Sequence, residues 1–267
     1  MSGWITDLGE GVRTLKIGDL VVADSRASCG HCAQCLSGHH NRCGQLGFLG
    51  EVQDGGFAEQ LCLSAMRVLR VPTEVRPKIA ALSEPLAVAL RVVRRLDPPK
   101  GAPIVIAGGG CIGGFTGLLL SELGFGPLYL LERNRQRADL LREVCGLQPI
   151  TLDDMSFQTT FVVEATGSAI MLEQMINRVA PGGRIALVGL FKQAGGLDLN
   201  RVVEREIDLC GCSVFAGEQQ EVIPLLPRLA PRLERVISEP IGLEALPEAY
   251  ERLIGGGVAA LKILISP

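Results

Sequence analysis

The chain has 267 residues, with 26 Lys and Arg against 29 Asp and Glu, 47% hydrophobic and only 4% aromatic residues. That length suffices for a large core and two domains. The formal net charge of −3 gives no basic footprint for nucleic acid or an anionic membrane surface. The scarce aromatics offer no stacking platform for single strands. No apolar run reaches a membrane span, because the densest, 115–131, is broken by Gly and charged residues. Met1-Ser2-Gly3-Trp4 carries no basic and then apolar leader, so the expected compartment is the cytoplasm. In a reducing compartment nine Cys, four of them crowded into one loop, read as metal binding rather than disulfides.

In chain order, residues 1 to about 75 read as β-rich. Lys16-Ile17-Gly18-Asp19 is a turn signal, and strands are expected at 20–23, 57–63 and 68–71. Between the first two lies a polar Cys/His/Gly loop, 25–47. Ser83-Glu84-Pro85 then predicts a helix start, with Ser83 as N-cap and Pro85 in the first turn. The helix runs to Leu96, where Arg91, Arg94 and Arg95 favour its C-terminus. Asp97-Pro98-Pro99-Lys100-Gly101 is a stop and a linker.

From Pro103 strands and helices alternate. Strands are expected at 103–107, 128–131, 161–164, 184–188 and 207–214, with helices at 112–123, 135–145 and 168–179. Such repeated units imply a parallel, doubly wound α/β sheet. A late helix at 243–253 and a final strand at 260–265 complete the pattern. The stretch between Gly146 and Phe161 is too short for a full helix, so one face of the sheet is expected to be less well covered.

Two patterns carry chemistry. Gly108-Gly109-Gly110-Cys111-Ile112-Gly113 fits G-x-G-x-x-G after a strand and before a helix. Gly108 permits a tight turn, Gly110 lets backbone approach a pyrophosphate, and Gly113 allows close helix–strand packing. The helix N-terminus offers free N–H groups and its positive dipole end to phosphates. Glu132 follows the second strand, where an acid accepts hydrogen bonds from both ribose hydroxyls of NAD and repels a 2′-phosphate. The neighbouring Arg133 is the residue that would attract NADP instead.

The second pattern is Cys29, Cys32, Cys35 and Cys43, spaced C-x2-C-x2-C-x7-C. Four thiolates close a tetrahedral zinc shell with no open position, which makes a structural site. Two disulfides or unrelated thiols are the alternatives. Cys62, Cys111, Cys145, Cys210 and Cys212 read as small apolar residues, not ligands. His39 and His40 read as a solvated part of the zinc lobe.

A four-Cys loop, a Glu-Pro helix and a Rossmann unit together resemble the zinc-containing medium-chain dehydrogenases, nearest to the polyol and threonine dehydrogenase branch. The resemblance rests on Gly3–Val12 with Leu15–Asp19, Ala81–Ala89, Glu164-Ala165-Thr166-Gly167, Pro181-Gly182-Gly183-Arg184 and Val188-Gly189-Leu190. It implies a GroES-like β-rich catalytic domain with a Rossmann domain inserted. The corresponding boundaries are 1–97 for a partial catalytic domain, 98–228 for the dinucleotide domain, and 229–267 for the return.

The resemblance also implies a reaction, hydride transfer between a nicotinamide cofactor and an alcohol, polyol or hydroxy amino acid, with the site in the cleft between domains. The dinucleotide contacts it suggests are Gly108, Gly110, Cys111, Ile112, Gly113, Glu132, Arg137, Ala165 and Gly189. Zinc and NAD are the implied cofactors, with NADP less favoured, and a homodimer or homotetramer pairing through 207–214 is the implied assembly.

The chain departs from the family at the catalytic zinc. The family holds that ion with an early Cys, the His and often the Glu of a Gly-His-Glu motif, and a later Glu. Of these the sequence supplies Glu84 alone, and it starts just past the position of Gly-His-Glu. The expectation is therefore a dehydrogenase lacking its first segment. Glu84 has two readings, a zinc ligand or a first-turn carboxylate favouring the helix dipole. The alternative function is a non-catalytic NAD-binding protein with one structural zinc.

Overall fold

The computed structural model describes residues 1–155, 159–192 and 196–267. They form two compact units, one of 1–88, 213–254 and 263–267, the other of 89–212 and 255–262.

The first unit is built on short strands. β1 (Ser2–Trp4), β2 (Leu20–Ala23) and β5 (Val68–Arg70) make an antiparallel sheet in the order β1-β2-β5, while β3 (Arg26–Ala27) and β4 (Gly47–Phe48) form a separate pair. The Lys16–Asp19 turn feeds β2. The Lys16 N–H donates to the Asp19 carboxylate at 2.9 Å, and Gly18 takes φ +87, a conformation that costs any residue with a Cβ. Helix Leu226–Val236 buries Leu226, Leu229, Leu233 and Val236, the i, i+3, i+4 stripe of an amphipathic helix.

The second unit holds six parallel strands: β6 (Ile104–Ala107), β7 (Leu128–Leu131), β8 (Gln148–Pro149), β9 (Phe161–Glu164), β10 (Arg184–Leu187) and β11 (Asp208–Gly211). Their order is β11-β10-β9-β6-β7-β8. Starting from β6 this is the 3-2-1-4-5-6 order of the doubly wound dinucleotide fold, whose switch point lies between the first and fourth strands, here β6 and β9. The strands are near-continuous apolar runs, Ile104, Val105, Ile106 and Ala107 all being fully buried, as a sheet covered on both faces requires. Helix Ala169–Arg178 lays Leu172, Met175 and Ile176 on one of those faces with Val105, Val162 and Ile185.

Several expectations are corrected. The strand expected at 57–63 is irregular and Phe57 is 58% exposed. No described strand lies beside it to complete a ladder. Cys62 is accordingly exposed rather than packed. The final strand at 260–265 reduces to isolated bridge residues, Lys262 and Ile265, the latter paired with Ile241.

Ser83 is not an N-cap. The helix already includes it (Ser83–Leu96), the Leu86 N–H bonds back to Leu82, and the Ser83 hydroxyl is buried, accepting from Gln219 Nε2 at 3.2 Å. Between Gly146 and Phe161 the described residues hold β8 and a turn but no helix, and 156–158 lie outside the description.

The compact units also depart from the domain boundaries read from the sequence. Residues 213–228 belong with the first unit, because Arg26 donates to the carbonyls of Phe215 (2.7 Å) and Ala216 (2.6 Å) and Gln219 donates to Ala23 (3.2 Å). Residues 255–262 join the second, where the Val258 carbonyl accepts from Arg137 at 2.5 Å and the Gly256 carbonyl from Asn134 at 3.0 Å. Helical periodicity shows that 226–236 has an apolar face but not which core receives it.

Ile106, fully buried in the central strand, tests the core of the second unit. Ile106→Ala is expected to cost about 2–5 kcal/mol. The cost would be read as a fall in the urea midpoint of that unit with an unchanged slope.

Candidate functional site

The cysteine lobe lies in the first unit. Cys29 follows β3, Cys32 and Cys35 flank the start and body of helix Ala33–Leu36, and Cys43 closes a 3-10 turn at His40–Arg42. The four sulfurs all lie within 4.8 Å of one another, with Cys29 to Cys35 at 3.9 Å and Cys32 to Cys35 at 3.5 Å. A zinc tetrahedron with Zn–S of about 2.3 Å has edges of about 3.8 Å, so the donor set and spacing fit that ion.

Backbone N–H groups point at the sulfurs: Cys29 to Cys43 Sγ (3.4 Å), Cys32 to Cys29 Sγ (3.4 Å) and Gln45 to Cys43 Sγ (3.3 Å). Such donors favour thiolate. The backbone N–H groups of His31 and Cys32 pull the Cys29 thiol down to about 6. The backbone at Cys35 lowers Cys32, while burial pushes Cys35 up to about 11. An ion seated here would deprotonate the remaining thiols on binding.

The imidazoles make other contacts. His31 Nδ1 sits 2.9 Å from the Cys29 carbonyl, His39 Nδ1 3.1 Å from the Ser37 hydroxyl and His40 Nδ1 3.0 Å from the Ser28 hydroxyl.

One residue of the lobe left no signal in the sequence. Asn41 is buried, its Nδ2 donates to the Ser213 carbonyl at 3.1 Å, and Ser213 Oγ donates back to the Asn41 carbonyl at 3.3 Å. It fixes the lobe to the strand of chain that re-enters the first unit.

Glu84 stands in the first turn of its helix, and Ser25 Oγ donates to its Oε1 at 3.2 Å. Among the described residues the group of three or more His, Cys, Asp and Glu ligand atoms is the four-Cys cluster, and Glu84 is outside it. A catalytic zinc takes three protein ligands, so these residues do not make such a site around Glu84, and no chemical step is derived through one.

Around Glu84 is a polar scaffold. Ser25 is flanked by the Asp24–Arg26 ion pair at 2.6 Å, and the Arg26 guanidinium lies 4.3 Å over the Phe215 ring. The buried Gln219 amide donates to Ser83 Oγ and to the Ala23 carbonyl, both at 3.2 Å. Residues scattered from 23 to 219 leave no common sequence motif.

The glycine loop lies in the second unit at the end of β6. Gly108 takes φ +94, the left-handed backbone the turn requires. A Cβ on Gly113 would sit 1.8 Å from the Gly108 carbonyl oxygen, so helix and loop can approach only without it. A Cβ on Gly110 would meet nothing within 4 Å. Cys111 and Ile112 open helix Cys111–Glu122, so they stand in its first turn, where backbone N–H groups have no acceptor within the helix.

Glu132, just past β7, is tied into the loop. Its Oε2 accepts from Gly109 N (2.9 Å) and Arg137 Nη1 (3.4 Å), and its Oε1 from Asn134 N (2.8 Å). The parallel register aligns Ala107 with Leu131 and with Glu164, and Glu164 with Leu187. Gly108, Ala165 and Gly189 therefore fall at the C-terminal ends of the neighbouring strands β6, β9 and β10. Glu164 is fully buried and accepts from Thr166 N (2.8 Å), Gly167 N (3.3 Å) and the Thr166 hydroxyl. Gly189 packs so tightly here that a Cβ would lie 2.2 Å from Gly167 N.

Known proteins carry the same combination. Residues 1–73 match the alcohol dehydrogenase GroES-like domain and 111–230 match the zinc-binding dehydrogenase domain. The chain belongs to the zinc-type medium-chain dehydrogenase/reductase family of oxidoreductases.

A sorbitol dehydrogenase of Halalkalibacterium halodurans is 27% identical over all of this chain and 81% of its own length. An L-threonine 3-dehydrogenase of Idiomarina loihiensis is 24% identical over 95% of this chain and 78% of its own. An alcohol dehydrogenase from Escherichia coli CFT073, solved with NADH, superposes with a TM-score of 0.87 at 23% identity, covering 95% of this chain and 78% of its own. No helix among the described residues is long and apolar enough to cross a membrane.

The lobe predicts one tightly held zinc per chain. Cys35→Ser or Cys43→Ser should drop zinc content at least tenfold by elemental analysis and expose 29–43 to protease. Full zinc content in both variants would exclude the four-thiolate site.

Proposed function

We propose that the protein is a nicotinamide-dependent oxidoreductase that exchanges hydride with a secondary alcohol, polyol or hydroxy amino acid. One observation carries the reading: the Gly108–Gly113 loop, Glu132, Ala165 and Gly189 are gathered at the switch point of a 3-2-1-4-5-6 sheet, where such folds take dinucleotides. The bound nicotinamide supplies the hydride acceptor.

The chain's own residues bind and orient. The N–H groups opening the helix at Cys111 and Ile112 receive the pyrophosphate. Glu132, held by Gly109, Asn134 and Arg137, accepts from the adenosine ribose and favours NAD over NADP. The backbone at Ala165 and Gly189 borders the nicotinamide half. Zinc on Cys29, Cys32, Cys35 and Cys43 is structural, since four thiolates leave no open position for substrate. Pairing of copies through the β11 edge, as dimer or tetramer, belongs to the same proposal.

A second reading, dinucleotide binding without turnover, is favoured by Glu84 lying outside any described cluster of metal ligands. The two separate on one experiment. The zinc-loaded protein is assayed for NADH formation with sorbitol, 2,3-butanediol and L-threonine, and for NADH binding by calorimetry. Turnover with any of them carries the first reading, binding alone carries the second, and neither overturns both.

Glu132→Gln keeps the shape and removes the charge. A hydrogen bond to a charged group contributes about 1.5–3 kcal/mol, so NAD should bind about 10- to 100-fold more weakly, and the preference over NADP should shrink. Unchanged NAD affinity by calorimetry would remove Glu132 from the site.

A further inference from the structure

Residues 255–262 belong to the second unit, although the chain on either side of them belongs to the first. They form a strap across the starts of two helices, the one that follows the glycine loop and the one that follows Glu132. On helix Cys111–Glu122 the contact is apolar: Leu261 is buried, and a Cβ on Gly114 would fall 2.7 Å from its Cδ1. On helix Arg135–Cys145 the contact is polar. Asn134, the N-cap, accepts from Arg137 N through Oδ1 and donates through Nδ2 to the Gly256 carbonyl, both at 3.0 Å. One partner can only donate and the other only accept, so the amide has a single orientation.

Arg137 is held by the same strap. Its Nη2 donates to the Val258 carbonyl at 2.5 Å, while its Nη1 reaches Glu132 at the longer distance of 3.4 Å. Arg137 Nε is buried and, among the described residues, has no hydrogen-bond partner. The position of the guanidinium is therefore set mainly by the backbone of 256–258.

We propose that Asn134 is a positioning residue for the dinucleotide. It clips 256–258 to the start of the helix, the strap draws Arg137 aside, and Glu132 keeps oxygen lone pairs for an adenosine ribose. The proposal rests on the dinucleotide reading of Gly108–Gly113 and Glu132, and adds what sets the choice of cofactor.

Three groups donate to Glu132: Gly109 N at 2.9 Å, Asn134 N at 2.8 Å and Arg137 at 3.4 Å. The long contact is the weakest and the first to give way to a ribose hydroxyl. Released from the Val258 carbonyl, the same guanidinium would close on Glu132 as a bidentate pair and take both oxygens from the ribose. It would also be free to turn to a 2′-phosphate, which the arginine fork binds well. Both consequences lower the preference for NAD over NADP. The strap can be loosened from its own side as well. Gly256 takes φ +70 and a Cβ there meets nothing within 4 Å, so alanine adds backbone strain without a clash.

The test is calorimetry of NADH and NADPH binding to the zinc-loaded full chain, to Asn134→Ser, to Gly256→Ala and to the double variant. Serine caps a helix about as well as asparagine and keeps the backbone N–H on Glu132, but has no second polar atom for the Gly256 carbonyl. Expected in Asn134→Ser is NADH binding weaker by about three- to tenfold, the worth of one hydrogen bond, with NADPH binding unchanged or tighter. Gly256→Ala should act in the same direction, and it carries the test alone if Asn134→Ser does not fold by thermal midpoint. The double variant should lose little more than either single one, since both release the same contact. Equal weakening of both cofactors would reduce Asn134 to a helix cap and overturn the proposal, as would a wild-type ratio of the two affinities in both single variants. A wild type that binds no NADH is the separate result that removes the dinucleotide reading and this proposal with it.

Discussion

The second unit is organised by one close approach. Helix Cys111–Glu122 meets the end of β6 where a single added carbon on Gly113 would fall 1.8 Å from the Gly108 oxygen. That approach sets the direction of the helix axis and so where its first N–H groups point. It also requires the left-handed Gly108 to turn the chain sharply, which leaves the Gly109 N–H directed at Glu132. Loop, acid and helix dipole are placed by one backbone contact that only glycine permits.

The first unit solves a different problem. Its strands are two to four residues long, and the loop 29–43 has few apolar side chains to bury. Four cysteine sulfurs converge there within 4.8 Å, and metal–thiolate bonds would fold a segment that burial cannot. Asn41 joins that lobe to Ser213 through reciprocal hydrogen bonds. The metal lobe and the returning segment are thereby fixed together within one unit, although they are distant in sequence.

Local pattern made much of this legible. Strands β2, β7 and β9 and helix 135–145 fall where apolar runs and turn residues place them, since each is specified by its own sequence and sheet period. What escaped depends on partners. Residues 57–63 are apolar enough for a strand but have no described neighbour to pair with. Ser83 looks like a cap, yet a preceding helical turn at 77–80 leads into the helix and Gln219 claims its hydroxyl. The four-Cys cluster was visible because its spacing is local. Asn41, Ser25, Gln219 and Asn134 were not, because what they hold comes from other elements.

Two carboxylates show how placement divides one residue type between two tasks. Glu132 and Glu164 both stand at strand ends of the same sheet, and each accepts backbone N–H groups from the loop that follows. Burying a carboxylate is costly unless several donors meet it, and both have them. Glu164 is fully enclosed, with the Thr166 hydroxyl and two N–H groups taking its oxygens and Gly189 packed against it. Its work is to shape the turn that carries Ala165 to the switch point. Glu132 keeps some exposure, at 9% of its side chain, and one oxygen reaches across to the glycine loop. Only a carboxylate with lone pairs still reachable can accept from a ligand, and of the two that is Glu132, whereas Glu164 is spent on the architecture.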